Sequence, residues 1–160
     1  MDEALAMAEK SLALNPNSAG ALRAHARLLG YLGETETAVS QLQRATRLSP
    51  MDVRPFLIEF DYATIYFGAG RYDLVLEWSE KALRSMPGYL AALRYKIASL
   101  GLLGRIEEGQ LAVRQILAVT PELTVRRARA HIETGMNNVF KTPGFADAMC
   151  RGLRLAGLPD

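Results

Sequence analysis

The chain of 160 residues carries 19 basic and 17 acidic side chains, a formal net charge of +2, and 49% of its residues are hydrophobic. This is the balance of a folded, water-soluble domain, and a charge so near neutral argues against a nucleic-acid or membrane-surface protein. Cys150 is the only cysteine, which excludes an internal disulfide and a cysteine-based metal site and is consistent with a reducing, cytoplasmic compartment.

The first predicted helix covers residues 2–14. Apolar residues recur there at helical spacing, so that Leu5, Ala8 and Leu12 share one face. The sequence begins Met1-Asp2-Glu3, with no basic region and no apolar signal core, so no signal peptide is predicted.

Two further helices are predicted at residues 18–31 and 35–48. Ser18 and Thr35 are the expected N-caps, because a hydroxyl oxygen can accept a hydrogen bond from a backbone N–H of the first turn.

The same pattern continues in four more predicted helices, at residues 53–68, 71–85, 90–103 and 106–118. Asp52 is the expected cap of the first of these, with Pro55 in its first turn. We expect that helix to be extended by three residues, a rise of about 4.5 Å. The most apolar of the four, 90–103, contains Arg94 and Lys96 and falls short of the roughly 18 apolar residues of a membrane span.

Beyond Pro121 the helical period is lost. Residues 122–141 are consistent with either a short helix or an extended strap. A last helix is predicted at about 143–156, beginning at Thr142-Pro143, ending at Gly157 and containing Cys150 as a buried or half-buried apolar residue. Its apolar stripe consists of Phe145, Met149, Leu153 and Ala156.

Prolines and glycines repeat in phase along these helices. The prolines are separated by 34, 37 and 34 residues, and they are Pro16, Pro50, Pro87 and Pro121. Three glycines each lie 17 residues before the next of these prolines, and they are Gly33, Gly70 and Gly104. A common phase of about 34 residues is typical of a helical repeat protein.

In this respect the chain resembles the tetratricopeptide repeat (TPR) family over about residues 2–121. The stretches Ala63–Asp73 and Glu80–Leu83 carry the resemblance most closely. The family's tryptophan in the first helix is replaced here by Leu22 and Leu93. The resemblance implies an all-α fold, a right-handed superhelix of antiparallel helix pairs, closed by a C-terminal capping helix.

The predicted organisation is therefore a solenoid over residues 1–121 and a strap with a capping helix over 122–160. The solenoid comprises one half repeat and three complete helix pairs, at 18–48, 53–85 and 90–118. Because the half repeat lacks its first helix, we expect the chain to be the C-terminal piece of a longer protein. The face formed by Leu5, Ala8 and Leu12 would then be exposed and would support homo-oligomerisation.

A weaker resemblance concerns that longer protein. The segments Arg47–Asp52, Phe67–Asp73 and Gly152–Asp160 are similar to the C-terminal TPR region of bacterial proteins that carry a class III nucleotide cyclase or a winged-helix regulator domain. No cyclase residue lies in this chain. The resemblance implies a sensory or interaction arm.

In TPR proteins the first helix of each pair lines a concave groove that binds peptides. Mapping this groove onto the chain gives eight candidate residues: Arg23, Arg27, Tyr31, Phe60, Thr64, Phe67, Arg94 and Tyr95. Arginine and tyrosine together favour an acidic or aromatic-bearing partner segment. The alternative is that the aromatic residues pack between repeats and the arginines are solvated.

One TPR subclass grips the C-terminal carboxylate of chaperones with lysines and asparagines. Here Asp61 replaces a neutral donor, and Ala91 and Tyr95 stand where cations are needed. The sequence therefore argues against a chaperone adaptor, since a buried like charge repels a carboxylate.

Little in the sequence favours catalysis or metal binding. His25 and His131 have no histidine or cysteine partner at ligand spacing, and Gly68-Ala69-Gly70 reads as a turn rather than a phosphate loop. The basic stretch 126–131 is more simply a solvated face than a nucleic-acid site. No catalytic residue, metal or cofactor is predicted.

The sequence thus predicts a non-enzymatic module that binds a protein or peptide, without nucleic acid or membrane. The alternative is a regulatory domain that senses a small ligand in the groove for an attached effector such as a nucleotide cyclase.

Overall fold

The computed structural model describes residues 2–50, 54–134 and 144–160, which form nine α-helices and no strand. The all-α prediction is confirmed. In chain order the helices are α1 Asp2–Leu14, α2 Ala19–Leu32, α3 Thr35–Leu48, α4 Pro55–Gly68, α5 Tyr72–Ser85, α6 Leu90–Leu102, α7 Ile106–Val119, α8 Val125–Thr134 and α9 Phe145–Leu155.

Helices α2–α3, α4–α5 and α6–α7 form three pairs, each packed along its length and joined by a short turn. The turn glycines Gly33, Gly70 and Gly104 have φ values of 89°, 71° and 74°. In each turn the glycine N–H donates to the carbonyl three residues back, and the next N–H donates to the carbonyl five residues back. This is a Schellman motif, which needs a left-handed residue and so favours glycine.

The ends of two helices test the predicted caps. Ser18 caps α2, because its hydroxyl accepts a hydrogen bond of 3.2 Å from the N–H of Ala21. The prediction for Thr35 was wrong: Glu34 precedes α3, and Thr35 is already inside the helix, with its hydroxyl directed back at the Gly33 carbonyl.

The predicted extension of α4 was also wrong. The helix begins at Pro55, with Arg54 preceding it, and has 14 residues like α2. The additional residues of this repeat therefore precede the helix instead of lengthening it. Asp52, the expected cap, lies outside the described residues.

The core consists of two apolar clusters. The first joins α2, α3 and α4 around Leu42 and Ile65. The second runs from α4 to the C-terminal residues and includes Ile97 and Leu153, both fully buried. Tyr66 and Trp78 contact both clusters, so the two are continuous along the row of helices.

The described residues after Pro121 form two helices, α8 and α9, which we call the tail. Within the segment left open between helix and strap, Val125–Thr134 is helical. The backbone N–H of Val125 donates to the carbonyl of Pro159 at 2.7 Å, which ties the start of the tail to its end. The Thr142-Pro143 start of the last helix lies outside the described residues.

Helix α9 packs closely on α6, with its predicted stripe inward. Phe145, Met149, Leu153 and Ala156 are all buried, as is Cys150. The crossing is made by glycines: a Cβ atom on Gly101 would collide with the Gly152 carbonyl oxygen, and one on Gly152 with that of Ala98. Backbones approach this closely only when the side chains at the crossing are small.

No helix among the described residues combines the length and the apolar character needed to cross a membrane.

Candidate functional site

A cavity of about 280 Å³ lies between the first helices of the three pairs, α2, α4 and α6, and the tail. Most of the predicted groove residues line it, although they come from three helices far apart in sequence. The lining members of that set are Arg23, Arg27, Tyr31, Phe60, Thr64, Arg94 and Tyr95. The remaining candidate, Phe67, is buried beneath Phe145 of α9, with 5.0 Å between the ring centroids.

Sequence reasoning missed the part of the cavity that the tail supplies. His131 and Ile132 of α8 and Phe145 and Met149 of α9 also line it. Their segment has no repeat phase, so no family pattern could place them. Tyr89, which immediately precedes α6, was missed as well.

Asp61, which lines the cavity, links α4 to α2. It is only 4% exposed, accepts a hydrogen bond from Nε of Arg23, and has its Oδ1 3.4 Å from Nε of Arg27. Burial raises the pKa of Asp61 above its ordinary value, whereas the charges of Arg23 and Arg27 oppose that rise. The Asp61 carboxylate is thus satisfied within the protein by two arginines.

Arg27 also donates a hydrogen bond of 3.3 Å from Nη2 to the hydroxyl of Tyr31, one helical turn away. Burial lowers the pKa of Arg27, but Tyr31 and Asp61 act the other way and the pKa is raised overall. Arg23, Arg27, Tyr31 and Asp61 therefore form one polar network that fixes α2 against α4.

Arg94 lines the same cavity and is not part of that network. No carboxylate within the described ranges forms an ion pair with it. Burial lowers the pKa of the Arg94 guanidinium, and Tyr95 and Tyr89 oppose this effect.

Aromatic rings form one wall of the cavity. Phe60 makes edge-to-face contacts with Tyr89 at 5.1 Å and with Tyr95 at 4.9 Å. A hydrogen bond joins the Tyr95 and Thr64 side chains, and the Thr64 hydroxyl donates to the Phe60 carbonyl at 3.0 Å. The wall is held by contacts within the protein and is therefore preformed.

The buried and half-buried tyrosines predict a loss of stability at alkaline pH. Burial raises the pKa of Tyr62, Tyr89 and Tyr95 above the ordinary value of 10.0. Above that value the unfolded chain releases these protons while the folded chain retains them, so the free energy of unfolding falls as pH rises. We expect part of the tyrosinate absorbance to appear only together with loss of helical circular dichroism. Complete tyrosine titration near the ordinary value in a chain that stays helical would contradict this.

The predicted self-association face is partly used inside the protein. Helix α1 packs on α2, and Ala8 is buried while Leu5 and Leu12 are half-buried. The apolar residues most exposed on α1 are instead Met7 and Leu14, at 67% and 81%. Homo-oligomerisation through this helix stays a prediction. The apolar area that α1 leaves exposed for it is smaller than the sequence led us to expect.

The histidines and the basic stretch form no evident reaction centre. Nδ1 of His25 lies 2.8 Å from Gln41 Oε1. Within the ranges that the structure covers, no cluster of three or more His, Cys, Asp or Glu could hold a metal ion. In the basic stretch, Arg129 is paired with Glu133 and Asp147, while Arg126 is exposed.

These features define the class of protein: an all-α chain of packed helix pairs whose first helices, with a C-terminal tail, surround a cavity lined by arginine and aromatic residues. No protein-family model and no curated protein matches the sequence.

Proposed function

We propose that the chain is a non-enzymatic binding module of the TPR type, in which the first helices of the three pairs line the binding groove. The common phase of the turns at Gly33, Gly70 and Gly104, with matching backbone hydrogen bonds, supports a repeat of equivalent units. Gly157, with φ 91°, ends α9 in the same manner, and α9 covers the end of the array as a terminal cap would.

The main support for the proposal is that the predicted groove residues come together in space. Side chains of α2, α4 and α6 that the repeat phase assigned to the groove meet at one cavity. Their chemistry, guanidinium groups beside aromatic rings, suits an acidic or aromatic-bearing segment of a partner protein through bidentate pairing and stacking.

A small-ligand sensor is the second candidate. The tail supplies one side of the cavity, and its volume of about 280 Å³ is near the lower end of the roughly 300–1,000 Å³ of small-molecule pockets. As a sensor, the chain would bind a ligand in the cavity and thereby regulate an attached effector domain. The resemblance to cyclase-associated and regulator-associated TPR regions supports such an arrangement. A cytoplasmic location belongs to the same proposal.

The binding role predicts a specific effect of Arg27→Gln. Peptides selected against the intact chain from a random display library should bind the variant about tenfold more weakly, since a charge-assisted hydrogen bond contributes about 1.5–3 kcal/mol. Arg23 remains to pair with Asp61, so the fold should persist. Affinity is measured by isothermal titration calorimetry.

Arg114→Gln is the matched control, because Arg114 is exposed on α7 and does not line the cavity. Selected peptides that bind both variants like the intact chain would lie elsewhere on the surface and would overturn the groove assignment.

A further inference from the structure

We propose that the cavity binds a monoanionic carboxylate with an apolar or aromatic body, and that Arg94 receives the carboxylate group. The inference rests on the proposed use of the groove as a binding surface and names the chemistry of what it binds.

The three arginines of the cavity differ in their partners. Arg23 and Arg27 share the carboxylate of Asp61, whereas no such partner of Arg94 exists in the described parts of the chain. Arg94 is nonetheless half-buried and lines the cavity. A half-buried guanidinium attracts an anion more strongly than one fully in water, so a ligand carboxylate could pair with Arg94 here.

Tyr89 lines the same cavity as Arg94 and Asp61. Phe56 and Phe60 hold it edge-to-face, each at 5.1 Å. A ligand anchored on Arg94 would thus lie along a fixed aromatic wall, which favours an apolar body of modest size.

The charges around the cavity favour a carboxylate over a phosphate. A phosphate group in a protein is normally met by several donors, but the Nε atoms of Arg23 and Arg27 face Asp61, whose negative charge disfavours a doubly charged phosphate beside them. The single guanidinium fork of Arg94 matches the two oxygens of one carboxylate.

Asp61 does not oppose this assignment. The positive charges of Arg23 and Arg27 compensate the charge of Asp61. The electrostatic effects on Arg94 come from Tyr95 and Tyr89 and not from Asp61. Any negative potential that remains near Asp61 disfavours an anion beside it, so the carboxylate is expected at Arg94.

The test uses the whole chain and four probes. Phenylacetate and hexanoate are titrated in two-dimensional NMR, with phenylacetamide as the neutral counterpart and inorganic phosphate as the competing anion. We expect saturable shifts for amides near the cavity with at least one carboxylate, with an affinity in the millimolar range normal for so small a ligand. The amide and phosphate should bind about tenfold or more weakly.

Arg94→Gln should weaken the carboxylate about tenfold or more, whereas Arg114→Gln should leave it unchanged. Arg94→Lys keeps the charge but not the fork, so an intermediate affinity is expected. Helical circular dichroism and an unchanged or raised Tm establish that the Arg94→Gln chain is folded, since the change removes a half-buried charge that no described carboxylate pairs with.

Three results would overturn the inference: no saturable binding of either carboxylate, carboxylate binding that Arg94→Gln leaves intact, or tighter binding of phosphate. If the inference fails while selected peptides still depend on Arg27, the groove remains a binding surface and only its ligand chemistry is wrong. If the peptides also ignore Arg27, the proposed function fails with it.

Discussion

Replacing Gly101 with alanine is expected to lower the free energy of unfolding by about 3 kcal/mol, the upper end of the usual cost of an added methyl in a packed interior. The new Cβ would meet the backbone carbonyl of Gly152. A flexible side chain could turn away from such a contact, but backbone cannot, so α9 must move off α6. Urea unfolding followed by circular dichroism measures the loss.

Gly20→Ala is the control for this change. Gly20 lies in the first turn of α2, and no atom lies within 4 Å of the position its Cβ would take. Alanine there should be neutral or stabilise the chain by up to about 1 kcal/mol, because it has the higher helix propensity. If Gly101→Ala proved as harmless as Gly20→Ala, the close crossing of α6 and α9 would be wrong.

The helix pairs could be predicted because their signals are local. Gly33, Gly70 and Gly104 are required by the φ of their own turns, and prolines mark the boundaries between pairs. Such constraints act within a few residues, so the sequence pattern displays them directly. Cap positions were less certain, since one residue separates Glu34 from Thr35 and either could precede a helix.

The path of the tail could not be predicted in this way. Val125–Thr134 carries no proline or glycine in phase, and its packing depends on contacts with distant helices. At the crossing of α6 and α9, Gly152 contacts Ala98 and Gly101, which lie about 50 positions earlier in the sequence. The presence of small residues in a sequence does not indicate which other small residues they will contact in the fold.

The candidate site likewise has a part that the sequence could predict and a part that it could not. Residues such as Arg23 and Arg94 line one cavity because helical spacing and repeat phase determine which helix face they occupy. The phase could not show that Asp61 pairs with Arg23 and Arg27, whereas Arg94 has no carboxylate partner among the described residues. It also could not show that Phe145 covers Phe67.

Leu42→Ala is expected to destabilise the chain by about 3 kcal/mol, within the usual range for a buried leucine. Leu42 is fully buried in the cluster that joins α2, α3 and α4, so the deletion leaves a cavity lined on all sides. Leu48→Ala is the control on the same helix. Leu48 is 42% exposed, and its truncation should cost well under 1 kcal/mol.

The way in which Leu42→Ala unfolds tests whether the two clusters act as one core. Trp78 is the only tryptophan, stacks on Tyr62 at 4.0 Å, and contacts both clusters. Its fluorescence therefore reports the junction, whereas circular dichroism reports all helices. Since the junction is continuous, we expect both signals of the variant to keep a common midpoint, as a two-state transition requires. Separate midpoints would mean that α1–α3 unfold independently, and a groove built from α2, α4 and α6 would then lose its rigid support.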